Sequence, residues 1–254
     1  MNITVEGGSS VRLLTAGKYC DQDIIVTATG SGGGGGGGDD IIAAIMNGTV
    51  TEIVNADATT VRERFFQNCT NLVKVKLPSV TTFAEYAFSG CSALSDFQMP
   101  SGLISIGTNA FNGCSALKVT ELPNTVAYLN TYAFNKCTSL ETIVIPPGIT
   151  TLNSYVFGGC TGLRFVDLKG ATRLSANAFN GCSNLSRIVL RYNKVCTLNS
   201  SSVLTGTPFA SGGSGGVVYV PSSLIESYQK ATNWSTLYAA GTCNFVAIEG
   251  SEYE

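Results

Sequence analysis

The sequence predicts an α/β repeat fold, a solenoid assembled from units of 22–23 residues. The motif Phe-x-x-Cys recurs six times, and its cysteines lie 22, 23, 23, 23 and 22 residues apart. Three residues after each Cys comes a Leu that opens a short alternating segment. A period of this length is typical of stacked units that each contain one strand and one return arm. The six copies are Phe66–Cys69, Phe88–Cys91, Phe111–Cys114, Phe134–Cys137, Phe157–Cys160 and Phe179–Cys182.

The alternating segment of each unit predicts a short β-strand with one buried face. In LETIVIP at 140–146, further apolar residues follow the Leu three and five positions later, which is the spacing of a half-buried strand. The segment that ends in xAFxxC is polar on one side and predicts a loose helical or 3₁₀ arm. Proline closes four of the strands, because it has no N–H to donate and turns the chain. These residues are Pro78, Pro100, Pro123 and Pro146.

The motifs together carry a family resemblance. The stretch AFNGCSALKVTELPNTVAYLNTYAFNKCTSLETIVIP, at 110–146, resembles the BspA-like leucine-rich repeat proteins, and the resemblance covers about residues 49–222. It implies a right-handed leucine-rich-repeat solenoid with parallel strands on one face, which we assign to 49–216. The chain departs from the pattern in the fifth and sixth copies, which lack the proline, and in the degenerate stretch 191–216.

Both ends of the repeats predict caps. DDIIAAIMNG at 39–48 predicts a capping helix over the open first repeat, since acids begin it and Gly ends it. Residues 217–254 predict a final strand followed by an amphipathic capping helix. This ending resembles that of BspA-like arrays, which implies that Tyr228 and Trp234 cover the last repeat.

Residues 1–29 predict a separate small β module of two or three strands. The glycine run at 30–38 predicts a flexible linker. A phosphate-binding loop is the alternative, but such a loop needs Lys–Ser/Thr after its glycines, and two aspartates follow here. The segment LLTAGKYCDQDIIVT at 13–27 resembles a module of bacteriophage tail-associated proteins. That resemblance implies an attachment segment that contacts other tail proteins.

The composition excludes several classes of function. The chain contains no His, the commonest general base and metal ligand. The net charge is −2 and no basic block is present, so we expect no nucleic-acid partner. No apolar run reaches the roughly 20 residues of a membrane span, so we expect no membrane insertion. The first residues do not show the pattern of a signal peptide.

The cysteines of the repeats allow four interpretations: zinc ligands, disulfides, reactive thiols or a buried column. Zinc sites use closely spaced Cys or Cys/His pairs, whereas no two cysteines here are closer than 14 residues. Stacked units bring equivalent cysteines near disulfide distance. Parallel side chains in one column pack together, however, and Cys is among the most buried residue types. We expect unpaired buried thiols, with no metal and no cofactor.

The outward strand positions carry both signs of charge. A mixed surface on a stiff scaffold is typical of a protein-binding or glycan-binding face, and equally of a plain solvated surface. We favour Arg164, Phe165 and Arg187, because Arg and aromatic residues are enriched at interface hot spots. The candidate ligand-binding face comprises Lys74, Lys76, Asp96, Glu121, Glu141, Arg164, Phe165, Asp167 and Arg187.

A second candidate stripe lies two residues before the arm phenylalanines. Its aromatic members are Tyr86, Tyr132 and Tyr155. They either contact a ligand or cover the core. Dispersed carboxylates, such as Glu121 and Glu141, form no recognisable acid–base pair, so we predict no catalytic residue and no enzyme activity.

Two functions follow from these observations. The first is a non-enzymatic binding protein of a phage tail, located in the virion, whose repeat face contacts a host surface protein or glycan. The alternative is a bacterial cell-surface adhesin of the BspA-like type, located at the cell surface or outside the cell. A fold alone does not choose between ligands.

Overall fold

The computed structural model describes residues 2–6, 10–14, 24–27, 52–54, 58–210 and 212–254. Over the repeats the chain winds as a parallel β-solenoid of about eight turns. The first ladder consists of the strands that follow the Leu of each repeat, together with strands at the equivalent place at the two ends. The strands of this ladder are β4 (Glu52–Val54), β6 (Lys74–Lys76), β8 (Asp96–Phe97), β11 (Thr142–Ile145), β13 (Phe165–Leu168), β15 (Arg187–Leu190), β17 (Gly216–Val220) and β18 (Cys243–Ala247).

A second ladder runs along another side of the solenoid. Its two-residue strands are also parallel, and each ends in a buried apolar residue that lies five positions before an arm Phe or at the equivalent place. One strand per unit was therefore an incomplete prediction. The strands are β5 (Thr60–Val61), β7 (Thr82–Phe83), β9 (Ser105–Ile106), β10 (Tyr128–Leu129), β12 (Thr151–Leu152), β14 (Arg173–Leu174) and β16 (Thr197–Leu198).

The return arms are turns, so the prediction of helical or 3₁₀ arms was wrong. Residues 58–200 contain no helix. Each arm has two residues with left-handed φ, four positions apart, and such residues interrupt a right-handed helix. In the second arm these are Tyr86 (φ 55°) and Gly90 (φ 78°). This conformation allows hydrogen bonds between neighbouring turns, because the N–H groups of Tyr86, Phe88 and Gly90 all donate to carbonyls of the next turn.

The core lies between the two ladders and the arms. The arm phenylalanines are buried and stack with neighbouring ring centroids 5.1–5.7 Å apart, which forms one continuous column. Stacking of this kind adds to the free energy gained by burying each ring. The predicted stacking of the repeats is confirmed by this column.

Three strands precede the solenoid: β1 (Asn2–Glu6), β2 (Ser10–Leu14) and β3 (Ile24–Thr27). They form an antiparallel meander, and β3 lies antiparallel to β4, with Ile25 opposite Val54. The strands thus extend the first sheet. The predicted linker at 30–38 and the predicted capping helix at 39–48 lie outside the described residues, so the division into separate units stays a prediction.

The C-terminal region contains more elements than the predicted strand and helix. A 3₁₀ helix at Ser201–Leu204 precedes β17, and a second one at Ser222–Leu224 leads into α1 (Ile225–Lys230) and α2 (Trp234–Ala239). Strand β18 follows and lies parallel to β17, beyond it in the sheet. The two short helices therefore connect two neighbouring strands, in the position that an arm has elsewhere.

Tyr228 and Trp234 fasten these helices to the preceding turn. Both are buried. The N–H of Cys196 donates to the Tyr228 hydroxyl (2.8 Å), and the Trp234 indole N–H donates to the carbonyl of Cys196 (2.6 Å). Tyr228 and Trp234, the two residues predicted to cover the last repeat, thus provide hydrogen-bond partners for the backbone N–H and C=O of the buried Cys196.

Candidate functional site

The outward side chains of the first ladder form two parallel rows, which we call the strand face. In-register pairing sets the first row, in which Glu52, Lys74 and Asp96 are neighbours, as are Thr142, Phe165 and Arg187. The second row lies two residues further along each strand. Its paired members are Val54 with Lys76, and then Glu121, Val144, Asp167, Val189 and Tyr219 in succession.

Most of the candidate residues are exposed side chains of this face or, for Glu141 and Arg164, of the positions directly before its strands β11 and β13. Lys74 and Phe165 are half-buried, and Asp167 is buried at 6% exposure. Its inclusion as an exposed ligand-binding residue was therefore wrong. The exposed members are Lys76, Asp96, Glu121, Glu141, Arg164 and Arg187.

The front part of the strand face comprises β4, β6 and β8. Here the charges pair with one another along the first row. The Lys74 ammonium lies 2.7 Å from a Glu52 oxygen and 4.0 Å from an Asp96 oxygen. The hydrogen bond to Glu52 raises the pKa of Lys74. All three groups remain in contact with solvent, so ligand contact requires no rearrangement of the backbone.

The face is interrupted at the third unit, between β8 and β11. Thr120 stands at the inward strand position where neighbouring units have Phe97 and Ile143. In the structure Val119 is buried instead and Thr120 is exposed. The backbone therefore leaves the ladder, and only Glu121 forms an isolated bridge to Val144.

An open groove of about 640 Å³ lies at this interruption. Its lining includes the main polar groups Gln98, Lys118, Glu121 and Lys169. Both signs of charge are present, and the groove continues the mixed character of the front part.

The rear part of the strand face comprises β11, β13, β15, β17 and β18, and the residue Tyr253 covers it. The Tyr253 ring stacks on Phe165, with centroids 5.1 Å apart and planes at 17°. The Tyr219 ring packs edge-on against the Tyr253 ring, with the ring centroids 4.6 Å apart. Arg187 Nη1 donates to the Tyr253 hydroxyl (2.9 Å) and lies 3.7 Å from a Glu252 carboxylate oxygen.

Arg191 fixes the backbone of the same segment. Its Nη1 donates to the carbonyl of Tyr253 (2.6 Å), and its Nε donates to both oxygens of Asp167 (2.9 and 3.0 Å). The buried Asp167 thus orients Arg191 instead of facing a ligand. We call Phe165, Arg187, Arg191 and Tyr219 the Tyr253 pocket.

Sequence reasoning missed three residues of this arrangement: Arg191, Tyr219 and Tyr253. Arg191 follows the sixth repeat strand in the stretch classed as degenerate, and Tyr253 is 62 residues beyond it. The acidic and aromatic segment Glu252–Tyr253–Glu254 was a usable signal, because two cationic side chains, Arg164 and Arg187, are predicted on neighbouring units. Its docking place was not predictable from local spacing.

The tyrosine stripe lies on the arms, away from the strand face. Tyr86, Tyr132 and Tyr155 are half-buried and all have left-handed φ. Tyr132 and Tyr155 stack at 4.8 Å, and the Arg64 guanidinium lies 4.2 Å from the centre of the Tyr86 ring. These rings thus contact neighbours on adjacent turns, which corresponds to the interpretation that they cover the core.

The cysteines form a buried hydrogen-bonded column. All eight cysteines in the described ranges are unpaired and buried. The thiol of Cys91 donates to the carbonyl of Phe66 in the preceding turn (2.9 Å), and the pattern repeats up to Cys182 and Phe157 (3.0 Å). Burial raises the pKa of Cys69 to about 12, so the thiol stays protonated at neutral pH. A protonated, buried thiol is a poor nucleophile and a poor metal ligand.

The described residues contain no group of three or more Cys, Asp or Glu side chains placed to hold a metal ion. None of the helices in the described ranges has the length and apolarity needed to cross a lipid bilayer.

The profile of the BspA type leucine rich repeat region matches residues 54–201 in six copies. The chain belongs to this family. The match spans the units that carry the Phe and Cys columns, so the resemblance drawn from the sequence is confirmed for the repeats. No comparison supports the resemblance of the N-terminal segment to phage tail proteins.

Solved structures of similar proteins have the same fold. A leucine-rich repeat protein from Eubacterium ventriosum is 28% identical with a TM-score of 0.53, over 62% of this chain and 43% of that one. A leucine-rich repeat protein from Bacteroides ovatus is 24% identical with a TM-score of 0.50, over 68% and 55%. The chain thus spans about half the length of these proteins. No curated protein matches the sequence.

Proposed function

We propose that this BspA-type protein is a non-enzymatic binding module whose strand face contacts a surface protein of another cell. The observation that carries the proposal is the register of the first ladder, which aligns the solvent-accessible charges Glu52, Lys74 and Asp96 of three successive strands on one face. Contiguous parallel strands hold these charges on a stiff frame, which lowers the entropic cost of binding.

The absence of enzyme activity is part of the proposal. The strongest potential nucleophiles, the repeat thiols, are buried and protonated, since burial raises the pKa of Cys69 and Cys196 to about 12. The carboxylates Glu121 and Glu141 are exposed to solvent. The side chains of the face are suited to recognition by charge and hydrogen bonding.

Membership in the BspA-type family favours the adhesin role over a phage tail role. We place the protein at the cell surface or outside the cell on this ground. Attachment through residues 1–29 and end-capping by the predicted helix at 39–48 and by α1 and α2 belong to the same proposal. The burial of Tyr228 and Trp234 supports the last of these roles.

Flow cytometry of the labelled full chain on intact bacterial and epithelial cells tests the function. The face variant Lys76→Glu/Arg164→Glu reverses two exposed charges, one in each part of the face. The control variant Lys136→Glu/Lys194→Glu makes the same change of net charge at exposed positions off the face. We expect the face variant to lower cell binding at least fivefold and the control variant to leave it unchanged.

Protease treatment of the cells should abolish binding, while glycosidase treatment should preserve it. Loss on glycosidase treatment alone would replace the protein partner by a glycan. Equal effects of the two charge variants, or no binding of the wild-type chain to any cell type, would contradict the proposed role of the face.

A further inference from the structure

The Tyr253 pocket has the composition of a ligand-binding site. It joins Phe165, Arg187 and Tyr219, on three adjacent strands, with the guanidinium group of Arg191, which directly follows β15. Aromatic and Arg side chains that converge on one spot are the residue types that dominate interface energetics. A third cation, Arg164, is exposed on the same part of the face.

The contacts in the pocket select a defined chemical group. Stacking against Phe165 selects a planar ring, and the donor Arg187 Nη1 selects a hydroxyl at its far end. The proximity of the same guanidinium to Glu252 favours an acidic residue before the ring. Arg191 binds the main-chain carbonyl. Together these groups recognise an acidic residue followed by Tyr.

The resident segment is held by local hydrogen bonds as well as by its contacts with the pocket. Ser251 Oγ donates to the Ile248 carbonyl (2.6 Å) and accepts from the Tyr253 N–H (3.1 Å), which makes a local turn. The Glu252 side chain is 67% exposed and its ion pair with Arg187 is open to solvent. Pairs of this type contribute little to stability, so another segment of the same chemistry can compete for the pocket.

We propose that the Tyr253 pocket binds an acidic-Tyr segment of a partner polypeptide, and that Glu252–Tyr253 occupies the pocket in its absence. The proposal rests on the proposed binding function and gives its partner a chemistry. The pocket is cationic and aromatic and recognises one main-chain carbonyl, so the ligand is a polypeptide segment that presents a carboxylate and a phenol in succession. The resident segment lowers the apparent affinity of the pocket for that ligand.

A labelled peptide of the sequence GSEYE, identical to residues 250–254, tests the proposal by fluorescence anisotropy. The full chain with Tyr253→Ala should bind this peptide at least tenfold more tightly than the wild-type chain. The peptide GSEAE should not bind. Adding Phe165→Ala or Arg187→Ala to Tyr253→Ala should lower the affinity at least tenfold, whereas adding Lys194→Ala, at an exposed position off the face, should not change it.

The variant Glu252→Lys provides a second route, because it weakens the resident contact with Arg187 and keeps the ring. We expect it to bind GSEYE about threefold more tightly than the wild-type chain. Equal binding of GSEYE and GSEAE, or no gain in either folded variant, would overturn the proposal and leave Tyr253 as a packing residue. Peptide binding without cell binding would retain the pocket and remove the adhesin role. Cell binding without peptide binding would remove the pocket alone.

Discussion

The front and rear parts of the strand face are built from the same repeated unit but differ in what covers them. In the front part, Lys74 pairs with Glu52 and Asp96 in contact with solvent. In the rear part, Tyr253 lies on Phe165, and Asp167 is buried beneath Arg191. The repeat therefore determines the scaffold, while residues outside its pattern determine which surface is available.

Two departures from the repeat produce this difference. The order Val119–Thr120 removes the third unit from the first ladder and separates the two parts. The segment 251–254 then covers only the rear part. Neither departure affects the Phe and Cys columns, which continue through the third unit without interruption.

The largest contrast should come from breaking one ion pair in each part. Asp167→Ala leaves the partly buried Arg191 without its carboxylate, and we expect the free energy of unfolding to fall by about 2 kcal/mol, less than for a fully buried pair because Arg191 retains solvent contact. Lys74→Met removes a solvated pair and should change the stability little. Urea denaturation of both variants checks this. Similar losses would show that the two parts are equally exposed.

Alkaline pH should destabilise both parts together, because the thiol column runs beneath both. Burial raises the pKa of Cys69 and Cys243 to about 12, from an ordinary 9.0. Above pH 9 the unfolded chain releases these protons and the folded chain retains them. Stability is therefore complete below pH 9 and is lost as the pH rises toward 12, by about 1.4 kcal/mol per pH unit and thiol.

Urea denaturation in the presence of a reductant at pH 8, 9 and 10 measures this slope. The variant Cys69→Ala should show a shallower decline. A stability that is constant from pH 8 to pH 10 would contradict the burial of the column.

Restoring the third strand should join the two parts. The double variant Val119→Thr/Thr120→Val places the apolar residue at the inward position that Ile143 occupies in the next unit. We expect a gain of about 1 kcal/mol, because one more pair of ladder hydrogen bonds forms. Hydrogen exchange at residues 119–121 should slow. Unchanged exchange with lower stability would mean that the order Val–Thr does not cause the interruption.

The smallest effect concerns the return arm that contains Lys136. Lys136 has a left-handed φ of 59°, at the position where other arms have Gly or Asn. Asn tolerates this conformation better than Lys, so Lys136→Asn should raise the free energy of unfolding by about 0.5 kcal/mol. Lys194→Asn, at an exposed residue without left-handed φ, is the control. Thermal denaturation compares the two, and equal shifts would exclude relief of backbone strain.

The sequence predicted the parts of the fold that repeat. Phe134 and Cys137 recur with a fixed spacing, and burial of one member implies burial of all. The second ladder escaped prediction because two-residue strands such as Thr82–Phe83 are too short to show alternation. The arms were mistaken for helices, since a left-handed φ at Tyr86 has no signal in the residue type.

Of the candidate site, the sequence predicted only which residues occupy outward strand positions. Asp167 does occupy an outward strand position, beside Val144 and Val189. Its burial depends on Arg191 and Tyr253, which reach it through folding of the C-terminal region and not through the repeat. Likewise, Val119 is buried, because the polar Thr120 cannot take the inward position without leaving its hydroxyl unpaired.

Hydroxyl-radical footprinting tests most directly that the rear part of the face is covered by Tyr253. In the wild-type chain we expect Tyr219 to be modified several-fold more slowly than Tyr128, which is 63% exposed. Tyr253→Ala should at least double the modification rates of Phe165 and Tyr219 and leave Phe97, in the front part, unchanged. If Tyr219 is modified as fast as Tyr128 in the wild-type chain, or if Tyr253→Ala changes neither Phe165 nor Tyr219, the distinction between the two parts is wrong.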